Sequence, residues 1–210
     1  MCWQKKSLPF LLCITLLRAE LYPDGVDILG PATTELEDRG AGRCGGGSVL
    51  LNPTDVGTTN LEWILPEGWP IDFSILVVLR PLADHGTIFT VYDAGGLEQI
   101  SLELRDASLV FMYQPPDTIP LSILYPLDAI EQRWYRLGLS VKGDAATLIV
   151  DCDHVLSEPL ERPKNTTIST DGIVIIGQPL LQDEGGLHVS KTCEERKPIF
   201  LLHRIFLLNS

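Results

Sequence analysis

Between Arg133 and Cys152 the chain reads RWYRLGLSVKGDAATLIVDC, a stretch that admits little except a β-hairpin with one face in a core. Tyr135, Leu137, Leu139 and Val141 alternate with Arg136, Gly138, Ser140 and Lys142, and a period of two places successive side chains on opposite faces of a strand. Lys142-Gly143-Asp144 supplies the turn. On the return, Leu148, Val150 and Cys152 share the inward face, while Thr147, Ile149 and Asp151 share the other. The hairpin therefore reads as sandwich core and not as an active site.

Further strand patterns follow at short intervals: Asp72 to Arg80, Thr87 to Asp93, Leu97 to Leu104, Ser108 to Tyr113, Ile119 to Leu124 and Ile173 to Gly177. Spacings of roughly 8 to 15 residues with turn residues between them are those of a β-sandwich. Asp72 to Arg80 is apolar on both faces, which predicts a central strand. Helical patterning is confined to Leu127 to Arg133. A chain of 210 residues with 18 Gly and 15 Pro is long enough for one turn-rich all-β domain.

Lys5 and Lys6 precede an apolar run, Leu8 to Leu17, which has the length of a signal-peptide core and is too short to span a bilayer. Cleavage after Ala19 is expected, giving a secreted protein. It removes Lys5, Lys6 and Arg18, so the net charge becomes more negative than −12. That sign disfavours nucleic acid and anionic lipid as partners. Cys2 and Cys13 leave as well, and Cys44, Cys152 and Cys193 remain. An odd count implies one disulfide plus a thiol that is free or paired with another chain. Asn165-Thr166-Thr167 is a glycosylation sequon in a polar stretch between apolar strands, the place where a surface loop is expected.

No catalytic pattern emerges. His85, His154, His188 and His203 occur singly and lack the spacing of a zinc site. Gly45-Gly46-Gly47-Ser48 lacks the Gly-Lys-Ser/Thr of a phosphate-binding loop, and there is no Gly-x-Ser-x-Gly elbow. The chain is read as a binding protein and not an enzyme.

Five motifs in order carry a family resemblance: Asp72 to Leu76 (DFSIL), Gly96 to Leu104 (GLEQISLEL), Trp134 with Arg136 to Val141 (RLGLSV), Ala146 to Cys152 (ATLIVDC), and Asp171 to Gly177 (DGIVIIG). Together they resemble the thrombospondin N-terminal-like, laminin-G-like domain found at the amino ends of fibrillar collagens of types V and XI, of fibril-associated collagens and of thrombospondins. The resemblance implies an all-β, concanavalin-like jelly-roll sandwich of two antiparallel sheets and a location in the extracellular matrix. It divides the chain into a signal peptide (1–19), a loosely held lead-in (20–47), the domain itself (48–184) and an atypical C-terminal segment (185–210). In that segment Phe200 to Leu208 is a candidate for the closing strand.

The resemblance also implies particular sites. The family's cysteine at the Val-Asp-Cys position pairs with one near the domain end, which here means Cys152 with Cys193. Cys44 lies where relatives have an early cysteine, but the late partner of that cysteine is absent. Heparin-like glycosaminoglycans bind some relatives through clustered cations, and Arg133, Arg136, Lys142, Arg162 and Lys164 are the candidates. Laminin-G-like sandwiches hold calcium at loop edges, which points to Asp151 and Asp153, with Asp93 and Asp171 as further candidates. No other cofactor is expected. The implied partners are matrix proteins, collagens or proteoglycans. The implied role is a collagen amino-terminal-type module that mediates matrix contacts or limits fibril packing. The alternative is a secreted ligand-, glycosaminoglycan- or growth-factor-binding protein. No Gly-X-Y repeat is present in the chain.

Overall fold

The computed structural model describes residues 25–31, 43–44, 48–51, 56–127, 132–177 and 200–209. Its architecture follows from one strand, β5 (Phe73–Pro81). Phe73, Ile75, Val77 and Leu79 point into the core, and Ser74 and Leu76 on the opposite face are also buried. A strand of this kind needs backbone partners on both edges. On one side it pairs with β10 (Tyr135–Lys142), with Ile75 opposite Leu139. On the other it pairs with β14 (Phe200–Asn209), with Val77 opposite Ile205.

The sheet grows outward from this centre. From β10 the order continues to β11 (Ala145–Val150) and then to the edge strand β12 (His154–Pro159). From β14 it continues to β3 (Ser48–Leu51) and β2 (Arg43–Cys44), while β1 (Val26–Asp27) pairs with β14 nearer its C-terminal end. The second sheet runs β4 (Val56–Asn60), β13 (Ile173–Gly177), β6 (Gly86–Tyr92), β7 (Glu98–Arg105), β8 (Ser108–Tyr113), β9 (Leu121–Pro126). Every pairing is antiparallel. Arg105 pairs with Ser108 across a two-residue turn in which Asp106 and Ala107 have φ of 49° and 57°. Left-handed residues at both positions match the twist of the flanking strands.

The core lies between the sheets. Leu137, Leu139 and Val141 from β10 and Leu148 and Val150 from β11 meet Phe89, Leu102, Phe111 and Val174 from the other sheet. Each such side chain contributes about 1.5–3 kcal/mol on burial. Trp69 stacks edge-on against Phe73 at 5.4 Å, and Tyr113 lies 6.3 Å from Phe73. A hydrogen bond joins the two sheets through the core: the Tyr125 hydroxyl donates to the Ala146 carbonyl at 2.8 Å. Tyr125 is fully buried, and burial pushes its phenol well above the usual range, so it is a permanent donor.

The hairpin, the central strand and strands β6, β7, β8 and β13 stand where the sequence placed them, whereas β2, β3, β4 and β12 lie where no strand was expected, and further differences follow. Strand β11 ends at Val150, and Cys152 is half-buried in the following turn with φ of 65° instead of facing inward on the strand. Asp151 and Cys152 both adopt left-handed backbone there, which reverses the chain into β12. The lead-in is anchored: Val26 pairs with Leu207, the Ile28 amide donates to the Ile205 carbonyl at 3.0 Å, and Ile28 and Leu29 are buried. Strand β9 starts at Leu121, beyond Pro120, and leaves Ile119 78% exposed. Within the Leu127 to Arg133 pattern, residues 128–131 lie outside the described residues, and Leu127, Gln132 and Arg133 are not helical.

Phe200 to Asn209 closes the larger sheet, as its β-rich composition allows. Ile205 and Leu207 fill the core from this strand. Ile205→Ala is expected to destabilise the domain by about 3 kcal/mol, measured by urea unfolding of the purified protein. A cost below 1 kcal/mol would mean that β14 is not integral to the sandwich.

Candidate functional site

The five candidate cations do not form one cluster. Arg136 and Lys142 are both exposed on β10, yet they are six residues apart, or about 20 Å along a strand. Arg133 sits at the Arg136 end, where it pairs with Asp151 and places its guanidinium 3.9 Å from the centre of the Tyr135 ring. Lys164 belongs to the opposite end, exposed in a turn two residues beyond Arg162.

Arg162 is not available to a ligand. Its side chain is only 5% exposed. Nε donates to the Gly143 carbonyl at 2.6 Å, Nη1 donates to the Ile71 carbonyl, and Nη2 pairs with Asp72. Asp72 also accepts from the Gly143 amide at 3.0 Å. One guanidinium thus ties the β10–β11 turn, the entry to β5 and the segment after β12 into a single corner. The Gly143 amide, and then Arg162, hold the Asp72 carboxyl below its ordinary value against the opposing effect of burial. Nothing in the sequence distinguished Arg162 from its exposed neighbour Lys164, because its partners are backbone carbonyls distant in the chain.

The candidate calcium ligands Asp151 and Asp153 do not converge. Asp151 directs one oxygen to the Arg136 amide at 2.9 Å and the other to Arg133, so its charge is already matched. Asp153 projects outward with its side chain 88% exposed, 3.9 Å from the His154 ring. Asp93 accepts from the Leu97 amide at 2.8 Å, and Asp171 accepts from the Ser169 hydroxyl, which lowers its carboxyl. Their loops abut, since a Cβ on Gly172 would lie 1.9 Å from the Tyr92 carbonyl. Among the described residues no three His, Cys, Asp or Glu side chains assemble into a metal-binding group.

Asn165 stands exposed at the tip of its turn with φ of 61°, a conformation that Asn tolerates better than most residues. The Thr166 amide and hydroxyl bond to the Pro163 carbonyl, and the Thr167 hydroxyl bonds to the Trp69 carbonyl. The turn is therefore pinned from both sides while the acceptor amide faces solvent. Cys152 is disulfide-bonded. Its expected partner Cys193 lies outside the described residues, as does the signal segment. No helix among the described residues is long and apolar enough to cross a membrane.

No family model matches the chain. It is similar to the human collagen alpha-1(XVI) chain, with 35% identity over 105 residues, 46% of this chain and 6% of that one. Among solved structures it is similar to the mouse laminin alpha1 chain, domains LG4-5, with a TM-score of 0.54 and 13% identity, covering 80% of this chain and 42% of that one. The shared fold is the laminin-G-like jelly-roll sandwich of two antiparallel sheets. The receptor-binding domain of botulinum neurotoxin D shares the same fold, with a TM-score of 0.54, 11% identity, and coverage of 78% and 40%. Loops on a rigid scaffold are where binding chemistry usually sits, but here the Arg162 corner and the Asp151 turn are both loop structures that reinforce the scaffold.

Because Asp72 is depressed in the folded state, its contribution to stability is complete above the unfolded carboxylate pKa and is lost as pH falls through the folded value. Asp72→Asn is expected to flatten the decline in stability below about pH 4, measured as urea midpoints from pH 7 to pH 2.5. An unchanged slope would remove Asp72 as a determinant of acid stability. Arg162→Gln is expected to cost about 3 kcal/mol without altering retention on heparin.

Proposed function

We propose that this chain is a secreted extracellular-matrix module of the collagen amino-terminal type, which contacts matrix proteins or proteoglycans and limits how fibrils pack laterally. The observation that carries this reading is the 35% identity to collagen alpha-1(XVI) over 105 residues. The chain spans 6% of that relative's length, so collagen-level assembly enters here only as a proposal. The reading requires binding and bulk, and no catalytic group. An acidic sandwich whose net charge, −12 for the full sequence, becomes more negative once the signal segment is removed, and which carries a glycan on Asn165, resists close lateral approach by like-charged copies.

A glycosaminoglycan role is the second reading, and the geometry narrows it. With Arg162 committed to the corner, the contact falls to Lys142 and Lys164 at one end of β10 and to Arg136 at the other. Such sparse cations give weak binding that is lost at modest salt.

The test is reconstitution of collagen fibrils with and without the secreted protein, with turbidity and fibril diameter as readouts. Thinner fibrils or slower assembly are expected. Unchanged fibrils together with no retention on collagen or proteoglycan would overturn the reading. Peptide mapping without reduction is expected to show a mature start near Glu20, a glycan on Asn165 that is lost in Asn165→Gln, and a Cys152–Cys193 bridge. An unmodified Asn165 on secreted protein would remove the glycan from the mechanism.

A further inference from the structure

Between the second sheet and β5 the chain makes one short helix, α1 (Leu61–Ile64), capped by the Asn60 side chain on the Glu62 amide. The connection that follows, Leu65 to Pro70, borders an open groove of about 570 Å³ against Val26 of β1 and Leu207 and Leu208 of β14. We propose that this groove takes an extended, apolar and basic peptide segment of a partner protein.

The lining defines the occupant. Ile64, Leu65, Pro66, Pro70 and Leu207 are apolar, and Glu67 is the one charged residue among the lining groups. Glu62, in the first turn of α1, is exposed. Asp72, two residues beyond Pro70, is paired with Arg162. The groove thus combines apolar side-chain surface with a carboxylate and, among its described lining residues, no cation, the complement of a segment bearing Leu- or Pro-like residues next to Lys or Arg.

Two tryptophans strengthen the assignment. Trp63 is 82% exposed, immediately before the lining segment, and Ile71 just after it is 45% exposed. A large exposed indole costs solubility without contributing to the core. It is also the side chain best suited to anchor a partner and to stack under a cation. Trp69 borders the groove, is 4% exposed, and its indole N–H has no acceptor among the described residues. Buried donors are ordinarily paired. A main-chain carbonyl of an incoming peptide is the acceptor that a small side-chain adjustment would engage. A volume of this size is ordinary for a binding cleft. A second copy of the chain is disfavoured by the net charge of −12.

This inference rests on the reading of the chain as a binding module. Random short peptides displayed on phage are panned against the secreted full chain and counter-selected on Glu67→Lys. Enriched sequences are expected to carry an apolar residue beside Lys or Arg. Synthesised peptides from that pool are expected to bind about tenfold more weakly to Glu67→Lys and to Trp63→Ala, both exposed changes that leave thermal unfolding in place. Binding to the parent chain is expected to shift the Trp63 emission to shorter wavelength. No enrichment over the counter-selection, or enriched peptides without a base that bind the variants equally, would overturn the groove. If the parent alters collagen fibrils yet enriches no basic peptide over the counter-selection, the groove assignment alone falls. If the parent alters no fibrils yet binds basic peptides, the groove stands and the matrix role falls.

Discussion

Strand β5 has two apolar faces and two edges, and both edges must be paired for the rest of the domain to form. Burying Ser74 and Leu76 on one face and Phe73, Ile75, Val77 and Leu79 on the other leaves no water to satisfy an unpaired backbone. β10 fills one edge from the neighbouring hairpin in sequence, and β14 fills the other from the far end of the chain. The same C-terminal strand receives β1 and β3 on its outer side. A strand arriving last thus organises elements from the start of the described chain.

The corners of the sandwich are held by charge-assisted bonds to backbone. Arg162 reaches Gly143, Ile71 and Asp72, and Asp151 reaches Arg136 and Arg133. Because the partners are backbone carbonyls and amides together with one side chain at each corner, each group fixes loop geometry more than it adds net stability. The cost is functional: charges that look free in sequence are already occupied. What remains exposed and chemically distinct lies at the sequon turn and around α1, which are linked through the Thr167 hydroxyl and the Trp69 carbonyl.

Period-two patterning determined much of the fold. The β10–β11 hairpin, β5, β6, β7, β8 and β13 were legible because each has one or two buried faces, and burial imposes a pattern that a reader of residues can see. β12 escaped because it is an edge: HVLSEP is exposed at five of its six positions and carries no alternation. Val26–Asp27 escaped because a two-residue strand has no period at all. Cys152 was placed on the wrong face because alternation was extended one turn too far, into two left-handed residues that no hydrophobic pattern announces.

The sequence by itself determined the fold class, the central position of β5 and the exposed sequon, since each depends on local patterning of apolar and polar residues. Tertiary structure decided which charges are free. Arg162 and Lys164 are indistinguishable two residues apart in the chain, but only Arg162 faces three acceptors brought together from residues 71, 72 and 143. It also decided that the C-terminal strand closes the sheet and that Trp69 and β14 share a groove, because contacts between residues so far apart in sequence leave no periodic trace.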